Sequence, residues 1–385
     1  MKILFADVMD LEDPLNWSGT PFSVYSVMRE KADVIRADRL DRRLKMLYTP
    51  RYLLGKWRKK QLQLDRYPLI GRSYARQIHR TFIKNNCDIV FSLSTIPVAY
   101  LPPQIPTVTW VDAIFHDMIG YYWDVEQVDY KSVELAKTLD LGSIDKNAAS
   151  IFGSHWARNG ATRMVGNAAK RCHVVPFGAN NPRQKPGVVK TLPVSGEPLR
   201  LLFVGVDWER KGGPDLLDAV IQLKQKGMNL ELSIVGADVA VSKIHTSFIT
   251  AHGRLRRSVA KETALLDSLF DAAHLFVLPT HAECAGIVFA EAASYGLPVV
   301  ARDTGGVSTM VTRDETGLLI EANDGAETIA KAIQNLVDNP ALYMAMSAKA
   351  LASFKDTYNW DTAVNRVIDI CRDALPPNSI SSRGR

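Results

Sequence analysis

Two adjacent cations in the second half of the chain stand where they could bind a phosphate. Arg210 and Lys211 lie in a turn between an apolar segment that ends at Gly205 and a helix predicted to begin at Pro214. A nucleotide diphosphate needs positive charge near its oxygens, which Arg supplies through forked hydrogen bonds and Lys as a point charge. A solvated basic turn is the alternative interpretation, because short basic turns are common.

A run of small residues follows the apolar segment Leu275 to Leu278 and leads into another predicted helix. Small side chains let backbone amides approach a ligand closely, and the N–H groups and dipole at a helix start favour a phosphate. The sequence therefore predicts an anion-binding helix start. Its candidate amides belong to Ala285, Gly286, Ile287 and Val288.

Two carboxylates flank this helix start. Glu283 precedes the helix and can hang into a cleft, whereas Glu291 lies one further turn inside it. Each could accept hydrogen bonds from neighbouring hydroxyls, as on a ribose or a hexose. The alternatives are a capping residue at Glu283 and an ordinary helix-surface residue at Glu291.

The elements that must position these groups alternate between strand and helix. Strands predicted at Leu201 to Val204, Leu230 to Val235 and Leu275 to Leu278 are separated by helices. Such alternation is typical of a parallel sheet with crossover connections, in which ligands bind beyond the carboxyl ends of the strands. Both clusters directly follow a predicted strand, so we expect them at one edge of an α/β sheet.

The chain divides into two predicted domains. Its 385 residues exceed what one core usually covers. Residues 178 to 198 are rich in Gly, Pro and polar residues, which is typical of a linker. The first half also alternates, with strands predicted from Lys2 to Ala6 and from Thr107 to Val111.

The second half resembles glycosyltransferase family four, whose members are retaining enzymes of the GT-B fold. The resemblance is strong over the second half and diffuse in the first. It is carried by the spacing from Glu283 to Glu291, then Ala292, Gly296-Leu297-Pro298-Val299-Val300-Ala301 and Gly305-Gly306, and by Gly205, Lys211-Gly212, Pro279, Glu315-Thr316-Gly317-Leu318-Leu319 and Tyr358-Asn359-Trp360.

The resemblance implies two Rossmann-like, doubly wound parallel-sheet domains with an interdomain cleft. Residues 1–183 would form the acceptor domain, onto which residues 360–385 cross back, and residues 184–359 would form the nucleotide-sugar donor domain. The implied reaction moves a hexose from a nucleoside-diphosphate sugar, UDP or GDP, to an acceptor hydroxyl with retained configuration.

The resemblance also implies residue roles. Glu291 would hold the nucleotide ribose, and Glu283 with the amides of residues 285 to 288 would hold the donor sugar and diphosphate. Arg210 and Lys211 would neutralise the diphosphate, and Gly19 would face the phosphates or the acceptor. The base would lie near Gly253 to Arg256.

Two positions depart from the family pattern. Val206 stands where the family usually has Arg directly after the first strand of the donor domain. Asp112 stands where the family often has a His that touches the donor sugar, and His116 follows four residues later. We expect Asp112 nearest the sugar and keep His116 as a second candidate; the predicted catalytic residues are thus these two with Arg210, Lys211 and Glu283.

No metal or cofactor is expected. The chain has no Asp-x-Asp pair, which is typical of metal-dependent single-domain glycosyltransferases, so cations and the helix start would stabilise the leaving diphosphate. The four cysteines lack metal-ligand spacing. The N-terminus predicts a buried strand rather than a signal peptide, and no run of 18 apolar residues predicts a membrane span. We therefore expect a cytoplasmic protein.

A basic segment suggests a polyanionic partner. Residues 29–80 hold 16 Lys and Arg against 5 Asp and Glu, within a chain of net charge +6. Its cations alternate with Leu, Tyr and Trp, so it could lie on the cytosolic face of an anionic membrane near a lipid-linked or glycolipid acceptor in polysaccharide or glycolipid synthesis. A solvated basic helix face is the alternative.

Two other functions remain open. A nucleic-acid-binding protein could use the same basic segment, but it would leave Glu283 and Glu291 unexplained and matches no nucleic-acid module. Another GT-B enzyme, such as a sugar-nucleotide epimerase, would turn over the donor without any acceptor.

Overall fold

The computed structural model describes residues 1–183, 187–237, 239 and 247–376. The chain forms two compact units, one from Met1–Pro176 with the chain from Trp360 onward, the other from Phe177–Asn359. The first boundary therefore lies before the predicted position, 183/184. The intervening residues join the second unit because their backbone is bonded there. The amide of Ala179 donates to the carbonyl of Tyr358 (3.0 Å), and that of Arg183 to the hydroxyl of Ser294 (2.9 Å).

Six strands of the first unit form one parallel sheet. They are β1 (Lys2–Ala6), β2 (Asp33–Ala37), β3 (Ile89–Ser92), β4 (Thr107–Val111), β5 (Ala149–Phe152) and β6 (Cys172–Val174). Their order is β2-β1-β3-β4-β5-β6. The bounds predicted for β1 and β4 are confirmed. The edge strand β2 was not predicted, because its Asp33 and Arg36 interrupt the apolar run that marks the buried strands.

Helices cover this sheet and include the last helix of the described chain. They are α1 (Thr20–Lys31), α2 (Thr49–Trp57), α3 (Pro68–Lys84), α4 (Phe115–Met118), α5 (Tyr130–Lys146), α6 (His155–Thr162) and α13 (Trp360–Asp373). Prolines mark the starts of two of these helices: Pro50 of α2 and Pro68 of α3 each stand in the first turn, where the missing N–H costs nothing.

The second unit repeats the architecture. Its strands are β7 (Leu199–Val204), β8 (Leu230–Val235), β9 (Ile249–Ala251), β10 (Leu275–Leu278), β11 (Val299–Arg302) and β12 (Gly317–Ile320), in the order β12-β11-β10-β7-β8-β9. Its helices are α7 (Gly213–Gln225), α8 (Ala260–Ala272), α9 (Ile287–Ser294), α10 (Val307–Met310), α11 (Ala326–Asp338) and α12 (Pro340–Asp356). Within the described ranges, no helix is both long and apolar enough to cross a bilayer.

The strand order brings the two predicted site loops side by side. The chain runs from β7 through β8 to β9 and then returns to the other side of β7 as β10. Leu275 pairs with Leu201, and Phe276 with Leu202, so the loops after β7 and β10 leave the same edge as neighbours. This is the point where the order reverses, at which open parallel sheets bind ligands.

Candidate active site

The turn after β7 carries both predicted cations to the loop after β10. The Arg210 guanidinium donates to the carbonyl of Ala282 (2.8 Å) and pairs with Asp207 (Nε to Oδ2, 3.1 Å). The Lys211 ammonium pairs with the Glu283 carboxylate, and both side chains are largely buried. The two clusters predicted separately from the sequence therefore form one polar site, which a solvated basic turn would not do.

Gly212 permits this contact. Its φ of 73° is left-handed, and a Cβ there would stand 2.0 Å from the carbonyl oxygen of Pro279. The amide of His281 also donates to the carbonyl of Arg210 (2.8 Å). Since only glycine combines this backbone conformation with so close an approach, Gly212 fixes the distance between the cations and the loop that bears Glu283.

The start of α9 has the features expected of an anion-binding helix terminus. Its N-cap is Gly286, at a φ of 68°, which has no side chain of its own to cap the helix. Glu283 lies three residues before this N-cap, and its carbonyl accepts from the amide of Gly306 (2.8 Å). Ala285 is buried, while Ile287 and Val288 are half-buried. First-turn amides lack partners within their own helix, so they are available to a ligand oxygen.

Glu291 is a buried carboxylate rather than an ordinary surface residue. It is 2% exposed, and its Oε1 accepts from the amide of Asn181 (3.1 Å) and from the Arg257 guanidinium. Burial raises the pKa of Glu291, and the charge of Arg257 opposes that shift. The contacts with Asn181 and Arg257 therefore hold the carboxyl group at a fixed position in the second unit.

Asn181 and Arg257 were not predicted as site residues. Arg257 directly follows the segment Gly253 to Arg256 that was expected near the base, so its charge was the one available signal. Asn181 lies in the predicted linker, where composition indicates no specific contact. Both reach Glu291 from distant parts of the sequence, which only the tertiary fold brings together.

A buried arginine supports the loop after β10 and was also missed. Arg302, at the end of β11, is 1% exposed and donates to the carbonyl of Pro279 (2.7 Å). It also contacts His281 Nδ1 (2.8 Å) and the carboxylate of Asp215 in α7 (2.7 Å). Burial and the neighbouring Arg302 charge lower the pKa of His281. Arg302 thus ties three elements together beneath the loop that bears Glu283.

The predicted residues of the first unit come after strands β1 and β4 in the chain. Gly19 is the left-handed N-cap of α1 (φ 88°), after two further left-handed residues, Trp17 and Ser18. Asp112 directly follows β4 and is half-buried. His116 lies in α4, with Nδ1 3.6 Å from Asp117 Oδ1. Their predicted roles toward a donor or acceptor stay predictions.

No group of three or more His, Cys, Asp or Glu side chains gathers as a metal site in the part of the chain that the structure describes. The four cysteines are free and buried.

Part of the chain is similar in sequence to known glycosyltransferases. Residues 198–339 match the family model described as "Glycosyl transferases group 1". The chain is 30% identical over 228 residues to D-inositol 3-phosphate glycosyltransferase 1 of Catenulispora acidiphila, covering 55% of this chain and 54% of that protein. It is 27% identical over 269 residues to the enzyme of Pseudarthrobacter chlorophenolicus, covering 63% and 64%. The chain therefore matches less than two thirds of the length of either relative.

Solved structures match nearly the whole chain. Sucrose-phosphate synthase from Thermosynechococcus elongatus superposes with a TM-score of 0.66 at 17% identity, covering 97% of this chain and 98% of that one. Anabaena HepE in complex with UDP superposes with a TM-score of 0.66 at 16% identity, covering 97% and 100%. At these identities the likeness shows the fold, which is the predicted two-domain α/β GT-B fold.

Proposed function

We propose that this chain, in which residues 198–339 form a group 1 glycosyltransferase domain, is a retaining glycosyltransferase that uses a nucleoside-diphosphate sugar. One observation carries the proposal: Arg210 and Lys211 meet the Glu283 loop beside the start of α9, where the strand order of the second sheet reverses. Cations and a helix start at that point suit a pyrophosphate.

The diphosphate would bind between the Lys211 turn and α9. Its oxygens would accept from the amides of residues 285 to 288 and would compete with Glu283 for the Lys211 ammonium. Arg210 braces the loop through Ala282 and adds positive charge. Arg210 thereby supplies the charge that the family usually places at the position of Val206.

The ribose would bind at Glu291. Because Asn181 and Arg257 hold the carboxylate in one orientation, it can accept from ribose hydroxyls without first losing rotamer freedom. Arg257 would then lie beside the nucleotide as well. We expect a uridine or guanosine nucleotide; supporting the former, structures of Anabaena HepE are described as complexes with UDP and with UDP-glucose.

Catalysis would rest on charge stabilisation. The bond from the anomeric carbon to the diphosphate breaks, the acceptor oxygen bonds to the same face of the sugar, and the acceptor proton leaves on the diphosphate. Lys211, Arg210 and the amides of α9 would stabilise the negative charge that develops on the leaving group. Asp112 and His116 remain the candidates to contact the donor sugar or the acceptor, and no metal or cofactor is required.

The identity of the acceptor is a separate part of the proposal. The curated relatives are named for a phosphorylated inositol acceptor. For this chain, the basic segment favours a hexose transfer to a lipid-linked or glycolipid acceptor in polysaccharide or glycolipid synthesis, at the cytosolic face of a membrane.

Donor binding tests the proposal directly. Thermal unfolding is measured with UDP, GDP and ADP and with their common sugars, for the natural chain and for the variants Lys211→Met and Lys226→Met. One nucleotide should stabilise the chain, by about 2.7 kcal/mol at 100 times its Kd. Lys211→Met should abolish that shift, whereas Lys226→Met, an exposed lysine at the end of α7, should retain it. No stabilisation by any nucleotide would refute the assignment, and donor turnover without an acceptor would favour an epimerase.

A further inference from the structure

Helix α2 turns its apolar side to the solvent. Six residues recur at helical spacing along it and the preceding turn: Met46, Leu47, Pro50, Leu53, Leu54 and Trp57. All six are exposed, with Trp57 at 79% and Met46 at 69%. In α3, by contrast, residues at the same kind of spacing, such as Ile70, Tyr74 and Ile78, are buried. Below, these six residues are called the exposed stripe.

The opposite side of α2 is fixed to the protein. Gly55 is the only buried residue of the helix, and a Cβ there would stand 2.1 Å from Leu62 Cδ1. Gln61, a few residues after α2, forms two backbone hydrogen bonds with the segment before α5. Its amide donates to the carbonyl of Gln127 (2.7 Å), and its carbonyl accepts from the amide of Asp129 (3.1 Å). The helix therefore cannot roll over to bury the stripe without breaking these contacts.

Cations surround the exposed stripe. Lys56, Arg58 and Lys59 are exposed and have no ion pair with any residue that the structure describes. Tyr130, 77% exposed, lies at the start of α5 beside Asp129, which pairs with Arg51 of α2 (3.4 Å). Exposed Leu and Trp side chains bordered by unpaired Lys and Arg are complementary to one surface in particular, a bilayer with anionic headgroups above acyl chains.

We propose that the exposed stripe, with Lys56, Arg58 and Lys59, docks this chain on an anionic lipid bilayer. Trp57, Leu53 and Leu54 would enter the boundary between headgroups and acyl chains, while the cations would contact lipid phosphates. The docking is inferred from the exposed side chains and charges of this surface alone. Its use, to bring the transferase to a lipid-linked acceptor, rests on the proposed function.

Two variants of the full chain separate the apolar from the ionic contribution. Leu53→Ser/Leu54→Ser/Trp57→Ser removes apolar contact, and Lys56→Glu/Arg58→Glu/Lys59→Glu reverses the charge. Their matched controls change exposed residues elsewhere: Leu69→Ser/Ile83→Ser/Met344→Ser, and Lys84→Glu/Lys170→Glu/Lys226→Glu. Because every substituted side chain is exposed, all four variants should fold, which circular dichroism and thermal unfolding check.

Co-sedimentation with phosphatidylcholine vesicles, with and without phosphatidylglycerol, gives the readout at physiological ionic strength. The natural chain should bind only the anionic vesicles. The charge variant should bind at least 100-fold more weakly, since each of the three lost cations contributes roughly five-fold near an anionic surface and the three introduced glutamates add repulsion. The apolar variant should lose about 100-fold. Both controls should bind like the natural chain.

Other outcomes would overturn the proposal. The proposal fails if the natural chain does not bind anionic vesicles, or if a variant and its matched control weaken vesicle binding equally. It also fails if the chain binds RNA more tightly than vesicles, or if it forms a dimer in solution that the apolar substitutions dissociate. The vesicle assay contains no donor sugar. Vesicle binding can therefore fail while nucleotide binding persists, and nucleotide binding can fail while vesicle binding persists, so the two proposals are tested separately.

Discussion

Replacing Gly212 with Ala should push apart the two loops that make the proposed donor site. Gly212 has a φ of 73°, and the added methyl group would stand 2.0 Å from the carbonyl oxygen of Pro279. Gly227 provides a matched control, because its φ is 88° while a Cβ there meets nothing within 4 Å. The pair therefore shares the backbone strain of a left-handed alanine and differs only in the clash.

The expected magnitudes follow from that difference. A left-handed alanine costs about 1–2 kcal/mol, partly offset by about 0.4–1 kcal/mol because Ala restricts the unfolded chain. Gly227→Ala should thus lower the free energy of unfolding by about 1 kcal/mol. Gly212→Ala should cost about 1–3 kcal/mol more, the usual penalty of overpacking. Relief of the clash requires a shift of about 1 Å, and a misplacement of that size can cost about 100-fold in rate.

Urea unfolding and nucleotide binding, measured on both variants, supply the assay. Gly227→Ala should bind the stabilising nucleotide with unchanged affinity, while Gly212→Ala should bind it at least ten-fold more weakly and transfer sugar about 100-fold more slowly. Equal loss of stability in the two variants, with nucleotide affinity intact in both, would refute the claim that this contact sets the geometry of the site.

Three further predictions address single side chains. Lys211→Met should weaken the binding of both UDP and inorganic pyrophosphate, as measured by calorimetry, and should slow sugar transfer by about 10²-fold to 10³-fold, as measured by turnover. Weaker binding of UDP alone would contradict the placement of Lys211 at the diphosphate. Glu291→Gln should weaken the binding of UDP at least ten-fold yet leave the binding of pyrophosphate unchanged, since it replaces a carboxyl oxygen that would accept from the ribose with an NH₂ donor. Equal weakening of both ligands would argue against that role. Burial lowers the pKa of His274 to about 4, so the stability that the neutral ring contributes above pH 6.5 should be lost as the pH falls toward 4. His274→Asn keeps an acceptor for the Arg200 amide and should flatten that part of the unfolding-midpoint profile; an unchanged profile would assign it to other groups.

The sequence was sufficient to predict the α/β fold and the neighbourhood of the two site loops. Buried parallel strands are short apolar runs, so β7, β8 and β10 were apparent from Leu201, Leu230 and Leu275 onward. Because the loops after such strands share one edge of the sheet, residues 70 positions apart, such as Arg210 and Thr280, could be expected to meet.

The supporting contacts could not be predicted. Arg302 is the last residue of an apolar strand, and in the sequence it looks like an exposed residue that follows the strand. Its guanidinium is nevertheless buried against Asp215 and Pro279. Glu291 has two partners that the sequence did not indicate. Asn181 comes from the predicted linker, and Arg257 comes from a loop with no periodic pattern. Such pairs depend on side-chain directions that spacing does not encode.

Helix α2 shows the converse difficulty. Its apolar period is the one that normally predicts a core-facing helix. The orientation is decided instead by Gly55, whose lack of a side chain allows the backbone to approach Leu62 on the other side. Periodicity alone therefore identifies the helix but not the face that it buries.

The return of the chain at Trp360 bears on how the polypeptide acquires its structure during synthesis. Helix α13 packs in the first unit, where the Trp360 and Trp110 rings lie edge to face (5.9 Å between centroids) and Lys31 pairs with Asp361 (2.9 Å). The first unit to leave the ribosome is therefore the last to be completed, because it must wait for all of Phe177–Asn359 to be translated. The second unit is continuous, so it should be the one that can be excised and refolded alone, whereas Met1–Pro176 by itself would expose the surface that α13 covers.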